Sequence, residues 1–313
     1  MNKGWFDVES QVSFNKNGQI NIVLHERDNI VTESNEQINM ESNDPFKRID
    51  QDFSSFIGME RLKDTIKEIY ANIQINQQRE KVGLKTQQQV LHMLFKGNPG
   101  TGKTTVARKL AKAFYEMNIL SKGHFIEAER ADLVGEYIGH TAQKTRELVQ
   151  KAMGGVLFVD EAYSLARGGE KDFGKEAIDT LVKHMEDHHS EFILILAGYP
   201  GEMDQFLSLN PGLASRFPIV MDFEDYTINQ LLTIAKQMAM EREYQITKEA
   251  EWKLRDYLMK QKQKHSYNNF SNARFVRNTI EKSIRKHAVR LMKKQRYSTE
   301  ELMLITKDDL MLD

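Results

Sequence analysis

The chain has no cysteine, which excludes disulfides and thiolate–metal sites and gives no sign of an oxidising compartment. It also has no excess of charge of one sign. Forty-four Lys+Arg stand against 45 Asp+Glu, a net charge of −1. A global field that would draw nucleic acid or an anionic membrane surface is therefore missing, and partners must be argued from local features. No apolar run approaches the ~20 residues of a membrane-spanning helix. Met1-Asn2-Lys3-Gly4-Trp5-Phe6-Asp7 lacks the apolar core of a signal peptide. A soluble, cytoplasmic protein without membrane contact is expected. What is present is apolar content of 40% over 313 residues, enough to bury one large or two modest cores.

Three stretches differ in pattern. In residues 1–52, Val12 and Phe14, then Ile20, Ile22 and Leu24, alternate with polar residues around Asn15-Lys16-Asn17-Gly18, which predicts a β-hairpin with an Asn-Gly turn. Arg27 to Asp50, rich in Asn, Glu, Ser and Asp, reads as a flexible linker. Over residues 53–226 apolar runs at Val90–Lys96, His124–Ala128, Val156–Asp160, Phe192–Gly198 and Ile219–Phe223 alternate with helical patterns at Lys103–Met117, Gln143–Met153, Lys175–His188 and Gly201–Leu209. This predicts an α/β domain, a parallel sheet with helices on both faces. Residues 227–313 carry only helical periodicity, with Thr227 and Ser271 as N-caps, and predict a small all-helical second domain.

Between the first of these strands and the first helix after it lies Gly97-Asn98-Pro99-Gly100-Thr101-Gly102-Lys103-Thr104. Glycines at these spacings let successive N–H groups turn inward around a phosphate. Lys103 adds a point charge on the β- and γ-phosphates, Thr104 offers a hydroxyl to Mg²⁺, and the helix start directs its positive dipole end at the same oxygens. With Thr105 these residues form the expected site for ATP and Mg²⁺. The run Val156-Leu157-Phe158-Val159 ends in Asp160-Glu161. If its strand neighbours the phosphate loop, Asp160 can hold the Mg²⁺ hydration shell and Glu161 can polarise the attacking water as general base.

With these motifs the chain resembles the AAA+ ATPases over about residues 53–300. Within them it is similar to the family of stage V sporulation protein K and the red-type rubisco activases. The similarity runs through the phosphate loop, Leu133-Val134-Gly135-Glu136-Tyr137-Ile138-Gly139-His140-Thr141-Ala142, Asp160-Glu161-Ala162-Tyr163-Ser164-Leu165, Ala197-Gly198-Tyr199, Asn210-Pro211-Gly212-Leu213-Ala214-Ser215-Arg216-Phe217 and Ser271-Asn272-Ala273-Arg274. The N-terminal extension fits the sporulation branch best.

The resemblance implies a P-loop sheet with a helical lid, and it implies roles by position. Arg216 would reach the γ-phosphate held by a neighbouring subunit, the alternative being a surface arginine paired with an acid. Arg274 would contact the phosphates from the lid, with Arg277 as a substitute. Phe56-Ile57-Gly58 would pack around adenine. Tyr199 stands where many relatives in the wider class place an asparagine that positions the lytic water. Tyr137, Ile138 and Gly139 would form a loop gripping a polypeptide in a central pore, unless Tyr137 and Ile138 pack as ordinary core.

The implied whole is a homo-oligomeric ring, a hexamer, that remodels a protein client in sporulation. A nucleotide-switched scaffold, a rubisco-activase-like chaperone and a DNA-directed motor are the alternatives. The basic run Lys282–Arg296 lacks interleaved aromatics and reads as a solvated lid face rather than a nucleic-acid surface. His184, His188 and His189 read as a polar helix end rather than a metal site.

Overall fold

The computed structural model describes residues 9–14 and 20–25 as backbone, and residues 46–54, 56–86, 89–137, 139–167, 172–264, 270–294 and 296–310. The chain divides into two units, Met1–Pro45 and Phe46–Asp313. In the first, β1 (Glu9–Phe14) pairs antiparallel with β2 (Ile20–His25), in register from Phe14↔Ile20 to Glu9↔His25. The turn expected at Asn15–Gly18 and the part of the expected linker up to residue 45 lie outside the described residues.

Where description resumes, the linker expectation fails. Residues Lys47–Asp52 form α1, because Phe46, Ile49 and Phe53 fall at helical spacing and give the polar segment one apolar stripe. Ile49 and Phe53 are fully buried under α2 (Glu60–Lys81), whose own buried face is Leu62, Ile66 and Ile69.

The chain then alternates. In order it forms β3 (Met93–Gly97), α3 (Lys103–Glu116), β4 (Phe125–Ala128), α4 (Arg130–Leu133), α5 (His140–Ala152), β5 (Val156–Val159), a 3₁₀ turn at Ala162–Ala166, α6 (Gly174–Asp187), β6 (Ile193–Gly198), α7 (Pro200–Leu209), α8 (Pro211–Ala214) and β7 (Ile219–Phe223). The five strands β3 to β7 make one parallel sheet in the order β4-β5-β6-β3-β7.

Strand side chains alternate between two cores. Met93, Phe95, Val156, Phe158 and Ile195 pack with α1, α2 and α3 on one face, while Leu94, Leu157, Val159, Leu194 and Leu196 pack with α5, α6 and α7 on the other. Both faces are covered, so the central strands read as unbroken apolar runs rather than alternating ones.

The lid begins at α9 (Ile228–Met240), where the Thr227 hydroxyl accepts from Gln230 N–H and the Gln230 side chain accepts from Thr227 N–H, a capping box. β8 (Gln245–Ile246), α10 (Lys248–Lys264), α11 (Asn272–Met292), α12 (Thr299–Met303) and β9 (Leu304–Ile305) complete it. The lid is helical as expected, with one addition: β8 and β9 pair in parallel and stitch the chain's last described segment to the α9–α10 turn. Two residues per strand are too few to leave a periodic signal in sequence. A third core, with Leu231, Ala235, Leu254, Val276 and Ile280, holds the lid helices together. Among the described residues no helix is long and apolar enough to cross a membrane.

Candidate active site

β3 runs into the loop Asn98–Gly102 and then into α3. Gly100 (φ 70°) and Gly102 (φ 101°) occupy left-handed backbone that a side chain resists, and the loop curls back over its own carbonyls. Lys103 is buried in that curl, its Nζ donating to Gly97 O (2.7 Å) and Asn98 O (2.9 Å). Burial lowers its pKa from the ordinary lysine value; the nearby Asp160 charge opposes the shift and Arg274 adds to it.

The acids do not arrive by the route the sequence suggests. β5 is not adjacent to β3, because β6 lies between them. Asp160 and Glu161 reach the loop across the end of β6, where Gly198 carries no side chain and a Cβ would meet the Tyr163 ring at 2.7 Å. Glu161 sits in left-handed backbone (φ 47°) with its N–H donating to Asp160 Oδ1 at 2.9 Å, a turn that holds the two carboxylates together at the strand end.

Pro99, Gly100, Gly102, Lys103, Thr104, Thr105, Asp160, Glu161, Gly198 and Tyr199 therefore line one cleft of about 230 Å³, closed from the lid by Ala273, Arg274 and Arg277. The Tyr199 and Tyr163 rings lie 5.7 Å apart, tilted by 31°. The Tyr163 hydroxyl is pushed up to about 12 by burial and the Glu161 charge, so it stays protonated beside the acids.

A second, larger cleft of about 510 Å³ continues from the first through Gly102, Thr105, Ala273 and Arg277. Its apolar walls are Phe56, Ile57, Tyr226, Ile234 and Met238, a slot of the character a purine ring requires. Of the predicted adenine segment, Phe56 and Ile57 line this slot. Gly58 does not; a Cβ there would strike the Gln230 side chain at 2.0 Å, so it marks a close approach of the chain to α9.

In this cleft a buried ammonium under a glycine-bearing loop faces two carboxylates and two arginines, with an apolar slot alongside. That arrangement can hold a purine nucleoside triphosphate and place a carboxylate beside its terminal phosphate. Thr104 and Asp160 contribute oxygen donors only, which suits a hard cation such as Mg²⁺. Among the described residues no group of three or more His, Cys, Asp or Glu could hold an ion, so the ion's remaining ligands would be phosphate and water.

Residues 93–225 match the model of the ATPase family associated with various cellular activities (AAA), and residues 227–313 match the AAA lid domain. Stage V sporulation protein K of Bacillus subtilis (strain 168) is 61% identical over 311 residues, 97% of each chain. The chain belongs to the AAA ATPase family. A chloroplastic ribulose bisphosphate carboxylase/oxygenase activase of Cyanidioschyzon merolae is 46% identical over 75% of this chain and 80% of its own, and protein CbbX of Cereibacter sphaeroides 45% identical over 75% of each.

The remaining predicted residues of this AAA ATPase lie outside the cleft. Arg216, between α8 and β7, donates through Nε to Glu186 Oε1 (2.9 Å) and through its other nitrogens to Glu186 and to Gly212 O. It touches no part of its own nucleotide cleft. Tyr137 is 66% exposed and meets the His140 ring edge-on at 5.5 Å, so the alternative of a buried core tyrosine is excluded; Ile138 lies outside the described residues. Gly139 (φ 82°) caps α5 with open space around it.

The basic run of α11 is partly internal: Arg290 binds Asp309 (2.7 and 3.0 Å) and Lys294 binds Glu301 (2.5 Å). His184 stacks on His188, and His188 Nδ1 pairs with Glu191 at 2.8 Å, as expected of a polar helix end. Sequence reasoning passed over Asn272 and Asp225, which meet beneath the phosphate loop. The visible signal was the Ser-Asn-Ala-Arg motif, of which only the arginine was given a role.

Proposed function

We propose that this AAA ATPase assembles into a cytoplasmic ring, a hexamer of identical chains, that spends ATP on pulling at a protein client, and that its process is sporulation. The single observation carrying the reading is Tyr137: a large aromatic left 66% exposed between Gly135 and Gly139, its ring edge-on to His140, where it can grip a polypeptide by apolar contact without reading its sequence. The relative named for sporulation supports the process, and the relatives named for the carboxylase activase support a protein client.

In this reading Gly97, Asn98, Pro99, Gly100, Thr101 and Gly102 cradle the phosphates, Lys103 offsets their charge, and Thr104 and Thr105 complete the loop. Thr104 and Asp160 would hold Mg²⁺, which when bound supplies charge neutralisation at the terminal phosphates. Glu161 takes the proton from the attacking water, and Tyr199 orients that water from the end of β6 through its hydroxyl. Arg274, with Arg277 beside it, reads the phosphates from the lid. Arg216 leaves Glu186 for the γ-phosphate of the adjoining subunit, so that turnover depends on assembly. Ile57 bounds the adenine slot.

The test is Tyr137→Ala. ATP turnover is expected to stay within about twofold of the parent, while protein held by an ATP-loaded Glu161→Gln trap is lost when Tyr137→Ala is added. Retention of the same bound protein would reject the grip and favour a nucleotide-switched scaffold. Salt-sensitive stimulation of turnover by DNA would reject a protein client.

A further inference from the structure

The lid does more than face the cleft; it grips the phosphate loop from below. Asn272, the first residue of α11, is fully buried and sits in left-handed backbone (φ 42°). Its Nδ2 donates to Asp225 Oδ1 (2.7 Å) and Phe270 O (3.0 Å) and reaches Pro99 O (3.4 Å), while its Oδ1 accepts from Tyr226 N–H (3.1 Å). Asp225 in turn accepts from Asn98 Nδ2 at 3.0 and 3.1 Å. Ala273 N–H donates to Gly100 O (3.1 Å), and the Tyr226 hydroxyl donates to Thr101 O (3.0 Å).

Four consecutive loop residues, Asn98 to Thr101, are thus each tied to the hinge at Asp225–Tyr226 or to the head of the lid helix. Gly100 has no room for a side chain, since a Cβ would lie 2.2 Å from Ser271 O. Among side chains, the carboxamide of asparagine both donates and accepts, and asparagine tolerates positive φ, so the position selects for it on two counts.

We propose that Asn272 and Asp225 are a positioning pair: they set the shape of the phosphate loop according to the angle of the lid, and so tune ATP affinity without touching the nucleotide. The pair rests on the nucleotide reading of the cleft but is independent of the ring and the client. A lid rotation that moves Asn272 must carry the Asn98–Thr101 backbone with it, which gives lid motion a second route to the phosphates besides Arg274.

Asn272→Gly is the decisive variant, because it keeps the backbone permission and removes only the carboxamide. It is expected to raise the KM for ATP at least tenfold with kcat within about threefold, and to speed amide exchange over residues 97–102 in the full-length chain. Asn272→Asp, which sets two carboxylates face to face, should cost more, and adding Asp225→Asn should recover at least tenfold of that loss.

A folded Asn272→Gly with parental KM and exchange would overturn the pairing, as would no recovery in the double variant. Should Asn272→Gly fail to fold, the parent chain decides: ADP must alter exchange at 97–102 and 270–276 together, and a change confined to one segment overturns the proposal. Lys103→Ala separates the two readings. ATP binding that survives it removes the nucleotide reading of the cleft, whereas binding lost there and unchanged in Asn272→Gly removes only the pair.

Discussion

Burial lowers the pKa of Lys103 while the charges of Asp160, Asp225 and Glu161 oppose that shift, and Glu161 follows Asp160 as the last carboxylate at the end of the strand. Glu161→Gln keeps the shape and removes the base, so ATP should still bind while steady-state turnover falls at least ~100-fold; unaltered phosphate release would remove Glu161 from that role. A second residue-scale prediction concerns His92, which is buried beneath β6 with its Nδ1 accepting from Leu194 N–H at 3.0 Å. Burial lowers its pKa to about 4, outweighing the opposing effect of the Met185 backbone, and the His189 charge adds a smaller push in the same direction as burial.

The unfolded chain therefore takes up this proton near pH 6.5 while the folded chain resists it to about pH 4. Stability is lost as pH falls through that window, by roughly 3 kcal/mol in total. Urea midpoints between pH 7 and 4 should show this slope in the parent and a flatter one in His92→Phe. Lys103, Asp160 and Glu161 were legible in sequence because their chemistry dictates local spacing. His92 was not, since the same letter in an apolar run says nothing about which backbone amide it will meet.

Elements were legible where one face of a helix or a whole strand had to be apolar. β5 and β6 are buried on both sides and announced themselves; α1 did not, because three apolar positions in a polar stretch resemble a linker until Ile49 and Phe53 find α2. The adjacency of β5 to β3, a condition the sequence left open, does not hold, since strand order depends on crossovers that no local pattern encodes.

The end of the lid was invisible for a similar reason. Asp309 is buried, which by itself would raise its pKa, but hydrogen bonds from Arg290 and Thr306 outweigh burial and hold it below the ordinary carboxylate value. Asp309→Ala leaves Arg290 without that carboxylate and frees the β8–β9 stitch. A cost of about 2–3 kcal/mol is expected from chemical denaturation, below the full value for a buried pair because Arg290 retains solvent contact. Loss under 0.5 kcal/mol would mean the ladder, not the ion pair, secures the segment.

At the scale of the whole molecule, Arg216 rests on Glu186 outside its own cleft, the pairing expected of a surface arginine, and mixing of subunits separates that alternative from the proposed action on another subunit. Arg216→Ala and Lys103→Ala chains should each be inactive alone and regain measurable turnover when mixed, because each supplies what the other lacks; mixtures no more active than either parent would place Arg216 outside catalysis in trans. Ring, client and arginine all depend on a more basic premise: that Lys103, Asp160 and Glu161 converge on one triphosphate. The most direct measurement is titration calorimetry of Glu161→Gln with ATP and magnesium, alongside the same chain carrying Lys103→Ala. One saturable site per chain in the first and none in the second is the predicted result. No heat in the first, or equal binding in both, would contradict it.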